Sequence, residues 1–416
     1  MRILFFTELY YLGGLYNVIR NLIKCWPKDD ELIFLCNENM PGLHEIKEEL
    51  GSSCKVITHG AGIQRDKENQ LPKQLLISKA RNALIIFRQY LQFGYHTAYF
   101  KRLINQYTPD CIIIINGGYP GGYTCRAVAL GGLFASAKKK PIFNYHNSPV
   151  KPHRLFAMPE LIVDFLIEKS VSSFVTVSKD TDQQLSNRPG LRHTQKRKVI
   201  YNGIEIDPTY KKNYDFHNIR DELKIGQNDP VILMLATYEE RKGHDFLLRA
   251  LTKVKKEIPN IQLIVAGHGF TEEKDRVENL VIQYELSKNV HLLGFRKDVP
   301  ELIRQAQVVA MPSQRNESFG LTIVEAMAQR VPVVATDVGG IPEVLENGKG
   351  GYIVPLNSDL FADRIVMLLK DSKIRKSVGD AGYEVFQKRF SLNRMVDEYY
   401  QLTRQTDNRH KRKMQI

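Results

Sequence analysis

Short apolar runs alternate with longer stretches of helical periodicity along the whole chain. Strand-sized runs are read at Arg2–Phe6, Leu32–Cys36, Cys111–Asn116, Ile142–Tyr145 and Phe174–Val177. A second series is read at Val231–Ala236, Gln262–Ala266, Val290–Leu293, Val308–Met311 and Val333–Ala335. These runs are continuously apolar rather than alternating, which is the pattern of parallel strands covered on both faces by helices. Helices are expected between them, beginning with Leu15–Trp26 and ending with Leu392–Gln405. Two such series predict two doubly wound α/β domains. The first is expected over 1–200 with a C-terminal helix at about 390–416, and the second over 201–389. Asp207–Asp229 is polar and reads as a loop, and the basic tail Asn408–Ile416 reads as disordered. There is no low-complexity segment and no repeat at a solenoid period.

Composition adds little until its distribution is considered. The chain has 416 residues, 43% hydrophobic and 25% charged, as in ordinary globular domains. No apolar run approaches the length of a membrane span; even the strand-sized Cys111–Ile115 falls far short. The opening MRILFFTELYYLGG carries Glu8 and reads as a first strand and loop, not a secretory signal, so a cytoplasmic protein is expected. Five cysteines without a C-x-x-C support neither a disulfide framework nor a zinc site, and Cys36 and Cys111 read as core thiols. The net charge of +13 is uneven. Residues 1–200 hold 27 Lys/Arg against 16 Asp/Glu, a net of +11, and the remainder nets only +2. A basic front half favours an acidic partner such as an anionic membrane surface or a lipid phosphate, although simple solubility explains it as well. No recognised nucleic-acid module accompanies the charge, so nucleic-acid binding is not expected. Pro72–Tyr95 mixes apolar residues with Lys73, Lys79, Arg81 and Arg88 and has no acid. It reads either as a core helix with a cationic face or as a helix lying against anionic lipid, peripheral to the inner face of a membrane.

The richest stretch is Asn316–Ala328, NESFGLTIVEAMA, where seven residues separate Glu317 from Glu325. On its own such a pair is more often the surface of an ordinary helix. Here Gly320 precedes a helical run, so backbone N–H groups near Ser318, Phe319, Gly320 and Leu321 can approach a phosphate, helped by the helix N-terminus. Glu325, about one turn into the helix, can accept bonds from vicinal ribose hydroxyls. Glu317 stands at the mouth, where a sugar would lie.

The flanking segments Val290–Ser313 and Val331–Val354, with VIYNGIEIDP at Val199–Pro208, complete a pattern that resembles glycosyltransferase family four, retaining enzymes of the GT-B fold. The resemblance is continuous over roughly 199–357 and weaker in the first half. It implies a GT-B architecture, two Rossmann-like domains facing a central cleft, the first binding the acceptor and the second the nucleotide-sugar donor. It implies that Gly13-Gly14 face the donor diphosphate and the acceptor, and that Lys242 neutralises diphosphate charge. The family's arginine, five or six residues before that lysine, is replaced here by Ala236 or Thr237, and Arg241 is the candidate substitute. His146, which ends a strand, is expected to hydrogen-bond the sugar, and Gly269 and Arg296 to border the donor and its base. Closure of the domains over the donor would exclude water. Glu317, His146, Lys242 and Arg241 are the expected catalytic set, for transfer of a hexose from a UDP- or GDP-sugar to a glycan or lipid-linked hydroxyl.

Two other motifs carry less. Gly267-His268-Gly269 follows a strand, but Glu272 stands where a dinucleotide fingerprint needs a third glycine, so NAD is not expected. Asp180-Thr181-Asp182 reads as the capped first turn of a helix, not a metal pair, and no metal or other cofactor is expected. Two alternatives stay open: a nucleotide-sugar epimerase or hydrolase of the same fold, and a non-catalytic donor-binding scaffold.

Overall fold

The computed structural model of the protein describes residues 1–61, 75–205 and 218–405, and for 75–89, 91 and 123 the backbone alone. Two compact units emerge. One comprises the described residues of 1–200 and those from Met395 on, and the other Tyr201–Arg394.

The first unit is built on seven parallel strands: β1 (Arg2–Thr7), β2 (Glu31–Asn37), β3 (Cys54–His59), β4 (Cys111–Asn116), β5 (Ile142–Tyr145), β6 (Ser173–Thr176) and β7 (Arg197–Val199). Their order is β3-β2-β1-β4-β5-β6-β7. The β1–β4 register pairs Ile3 with Cys111 and Phe5 with Ile113, and both strands are buried almost throughout. That is why their sequences are unbroken apolar runs. Helix Gly14–Lys24 follows β1, and Tyr123–Phe134 follows β4. Cys36 and Cys111 lie in this core, and burial pushes both thiols up to about 12. From Met395 the C-terminal helix Leu392–Arg404 packs here. Arg404 grips both oxygens of Asp30 at 2.7 Å, and Lys139 Nζ donates to the Thr403 carbonyl at 2.6 Å.

The second unit holds β8 (Val231–Leu235), β9 (Gln262–Ala266), β10 (Val290–Leu293), β11 (Val308–Met311), β12 (Val333–Thr336) and β13 (Gly351–Val354), in the order β10-β9-β8-β11-β12-β13. Ile232, Leu263, Val308 and Val334 pack with Phe246, Leu247 and Phe361 from helices His244–Glu257 and Ser358–Lys370.

Ten strands stand where the hydrophobic pattern places them. Among the described residues, the three that pattern misses, β3, β7 and β13, all lie at sheet edges. Asp180 and Asp182 occupy the first turn of helix Lys179–Gln183, capped by the Ser178 hydroxyl, which accepts from the Thr181 amide at 3.1 Å. Residues 206–217 and the basic tail lie outside the described residues. So do the side chains of Lys73, Lys79, Arg81 and Arg88, and the membrane-facing reading of Pro72–Tyr95 with them. Among the described residues no helix is long and apolar enough to cross a membrane.

Candidate active site

In a doubly wound sheet the strand order reverses at one point, and the loops leaving the two central strands diverge there to open a crevice. In the second unit that point lies between β8 and β11. Gly243, left-handed at φ +79, brings the two loops together: a Cβ there would sit 1.9 Å from the Pro312 carbonyl oxygen. Only glycine permits that approach. The contact seats Lys242 beside the loop after β11. Lys242 Nζ donates to Glu317 Oε2 at 2.7 Å, and the Ser313 hydroxyl donates to the same oxygen at 3.0 Å. Glu317 is buried, and its Oε1 accepts no bond from the described residues. The loop after β12 braces it from behind. Gly340 N donates to the Glu317 carbonyl at 2.8 Å, and a Cβ on Gly339, at φ +57, would lie 2.1 Å from that oxygen.

Arg241 is less free than its sequence position implies. Its Nε donates to Glu239 at 2.6 Å and its Nη1 to the Asn316 carbonyl at 3.2 Å. Glu239 also accepts from the Thr237 hydroxyl at 2.6 Å. Burial alone would push the Glu239 carboxyl up, but the bonds from Thr237 and Arg241 outweigh it and hold the group below its ordinary value. Thr237, standing in the region where the family carries its arginine, therefore helps anchor the acid that orients Arg241. Glu239 is the residue the sequence reading missed, and its signal was an acid two places before a cation pair.

Gly320, at φ +84, starts helix Leu321–Ala328, whose first amides have no acceptor within the helix. Glu325 lies one turn further along, half-buried, with no hydrogen bond or ion pair among the described residues, and loss of water pushes its carboxyl up to about 7. Ser318 is buried. The Phe319 ring packs against Tyr201 and Phe390, with centroids 6.4 and 5.7 Å away, so at this position the backbone, not the ring, is available to a ligand.

Two candidates have structural duties that account for them. A Cβ on Gly269 would meet Tyr238 Cβ at 2.5 Å, so chain packing already demands glycine there. Arg296 bonds both oxygens of Asp298 and both of Glu222, at 2.6 to 3.1 Å, and these carboxylates raise its already high pKa. Its guanidinium is committed, leaving the local backbone to border a ligand.

In the first unit the reversal falls between β1 and β4. Gly13 caps helix Gly14–Lys24, and a Cβ on it would meet nothing within 4 Å. No contact in the described chain demands glycine at that position. Behind this loop the buried Glu8 accepts the Thr124 amide at 2.8 Å, the Thr124 hydroxyl at 2.7 Å and the Tyr10 hydroxyl at 2.8 Å. The glycine-rich segment Gly117–Gly122, which the sequence reading passed over, joins β4 to the next helix. A Cβ on Gly117 would lie 3.7 Å from Leu15, and one on Gly118 3.6 Å from Asn147. His146 is tied into the same corner through its amide, 3.0 Å from the Asn116 carbonyl. Burial pushes its imidazole down to about 3, so it is neutral at physiological pH.

The structure thus gathers Arg241, Lys242, Glu317 and the Gly320–Leu321 helix start at one strand-order reversal, and Gly13, Gly14 and His146 at the other. Residues 215–385 match the family described as glycosyl transferases group 1. N-acetyl-alpha-D-glucosaminyl L-malate synthase of Bacillus anthracis is 28% identical over 202 residues, 48% of this chain and 51% of that protein. The phosphatidyl-myo-inositol mannosyltransferase of Mycobacterium leprae is 35% identical over 162 residues, 38% of this chain and 42% of that one. The chain spans about half the length of the curated relatives it matches. Among solved structures, Anabaena Alr3699/HepE in complex with UDP is 21% identical, covers 97% of this chain and 99% of its own, and superposes with a TM-score of 0.71. That likeness is of fold: two Rossmann-like parallel-sheet domains of the GT-B type.

Proposed function

We propose, from the match of residues 215–385 to the family described as glycosyl transferases group 1, that the chain transfers a hexose from a nucleotide diphosphate sugar to a hydroxyl acceptor with retention of the anomeric configuration. The observation that carries this reading is the Lys242–Glu317 pair, 2.7 Å apart beside the open start of helix Leu321–Ala328. As the glycosidic bond breaks, the leaving diphosphate gains charge. Lys242, the free edge of Arg241 and the first amides of that helix are the groups aimed at it, and such preorganised stabilisation is usually the largest catalytic term. Glu325 accepts from the ribose. Glu317, held by Lys242 and Ser313 with Oε1 open, orients sugar hydroxyls. His146, neutral, donates or accepts a hydrogen bond from a sugar hydroxyl. The reading assigns charge neutralisation to side chains and needs no metal. Glu317 is engaged by two donors and Glu325 is assigned to the ribose, so we assign a front-face route in which the leaving phosphate helps deprotonate the acceptor.

UDP in the HepE complex supports a nucleotide-sugar donor. The mannosyltransferase relative, named for a phosphatidylinositol acceptor, supports a glycan or lipid-linked acceptor and work at a membrane surface, in polysaccharide or glycolipid synthesis. Melting and donor consumption across UDP-, GDP- and ADP-sugars, with Glu325→Ala as control, test the reading. One donor that stabilises the wild type but not the variant is expected. An inverted product anomer would overturn retention, and no response to any nucleotide sugar would overturn the donor site itself.

A further inference from the structure

Helix Ala157–Ser170 is turned the opposite way from an ordinary surface helix. Its acids point inward: Glu160 is held by Arg126 at 3.0 Å and by Arg188, and Asp164 takes Arg188 Nε at 3.0 Å, its Nη2 at 2.9 Å and the Tyr119 hydroxyl at 2.9 Å. Asp164 is fully buried, Arg188 is 1% exposed, and these paired charges fix the rotation of the helix. The opposite face is therefore apolar and open to water. Met158, Leu161, Ile162 and Phe165, with Leu155 just upstream, are 37–75% exposed. The spacing of the four helical residues places them on one stripe. A contiguous exposed patch of this kind marks an interaction surface.

The rim identifies the partner. Lys151, Arg154, Lys169 and Arg192 are exposed around the stripe. Within 147–170 no acid is exposed: Glu160 and Asp164 are buried, and Glu168 pairs with Lys196 at 3.2 Å and Lys169 at 3.5 Å. The segment 188–196, which packs against the helix, contains no acid at all. A second copy docking by this face would set the same cations against themselves, whereas an anionic bilayer neutralises them while accepting the apolar stripe. At 14 residues the helix is about 21 Å long, too short to span a bilayer but suited to lie on one. We propose that this face docks the protein on an anionic lipid surface. The inference deepens the membrane part of the reading above by naming where lipid binds. It is tested without donor or acceptor, so it stands or falls independently of the transfer chemistry.

The experiment is cosedimentation of the full chain with vesicles of phosphatidylcholine, alone or with about one-third phosphatidylglycerol, alongside hydrogen exchange on the same mixtures. The wild type is expected to bind the anionic vesicles preferentially, with new protection confined to 153–169. Ile162→Asp with Phe165→Asp is expected to weaken partitioning at least about tenfold, and Lys151→Glu with Arg154→Glu about tenfold, with circular dichroism unchanged. If the aspartate pair does not fold, the charge-reversal pair and the wild-type exchange map decide. Absence of wild-type binding, undiminished binding by the folded variants, or protection only elsewhere would overturn the proposal. So would a wild-type dimer that the aspartate pair converts to monomer, which would give the face to a second copy of the chain.

Discussion

Glu325→Gln separates the folding cost of the nucleotide site from its use. The wild-type carboxyl sits half-buried with no partner among the described residues and is pushed from 4.5 to about 7. Below pH 4.5 it is protonated whether the chain is folded or unfolded, and it costs the fold nothing. Between 4.5 and 7 the unfolded chain ionises while the folded one holds its proton, so stability falls as pH rises. Above 7 the whole penalty is present. A shift of that size corresponds to about 3 kcal/mol at 1.36 kcal/mol per pH unit, and to about 2 after allowance for the water that still reaches the group. Glutamine carries no charge and escapes the penalty. In calorimetry at pH 8.5 the variant's second unit is expected to melt about 4–10 °C above the wild type, with the two nearly coincident at pH 4.5. Nucleotide binding moves the other way. Ribose hydroxyls bond the ionised carboxylate, so UDP affinity in the wild type is expected to fall by up to about tenfold per unit as pH drops below 7. In the glutamine variant it is expected to be weak and flat with pH. Identical melting of wild type and variant at pH 8.5 would refute the desolvated carboxyl. A stabilised variant that binds UDP like the wild type would refute its role with ribose.

Further substitutions probe the remaining groups. Lys242→Ala removes the cation nearest the leaving group and is expected to lower kcat about 10²–10³-fold, which steady-state transfer assays would show. Arg188→Leu leaves Asp164 without a cation in the core of the first unit and Glu160 with Arg126 alone. It is expected to destabilise that unit by about 3–5 kcal/mol, read from the fluorescence of the single tryptophan, Trp26, which is buried in the same unit. Gly13→Ala is expected to leave the melting temperature unchanged, because nothing in the described chain lies within 4 Å of the new Cβ, yet to weaken ligand binding. Gly339→Ala, whose Cβ would meet the Glu317 carbonyl at 2.1 Å, is expected to disrupt the loop that braces Glu317, and a fall in melting temperature would register it.

Much of this molecule was legible in one dimension, and the gaps have physical causes. A central parallel strand is buried on both faces, so β1, β4, β8 and β11 had to be written as unbroken apolar runs. An edge strand faces water on one side and need carry no such mark, although β10, at one edge of the second sheet, still stands where the pattern places it. β3, CKVITH, is buried only at its two ends, and β7, RKV, is nowhere fully buried, so neither run announces itself. The site divides in the same way. Glu317, Gly320 and Glu325 could be picked out by local chemistry together with their flanking segments, a glycine before a helix start between two acids, whereas Lys242 was legible only through the resemblance to the glycosyltransferase family.

What each of those side chains is free to do was decided only by tertiary contact. Arg241 and Arg296 look like equivalent ligand cations in sequence, but Glu239 holds the first only in part, while Glu222, 74 residues away in the chain, helps lock the second completely. Helix Ala157–Ser170 has apolar residues on more than one side, and nothing within its own sequence says which side faces the core. That choice is made by Arg126 and Arg188, which draw Glu160 and Asp164 inward because unpaired buried charge is too costly to leave. Periodicity and local chemistry settle which elements form and which residue types a site can use. Partners distant in the chain settle direction and charge, because ionic neutralisation depends on proximity in space, which the spacing of residues does not encode.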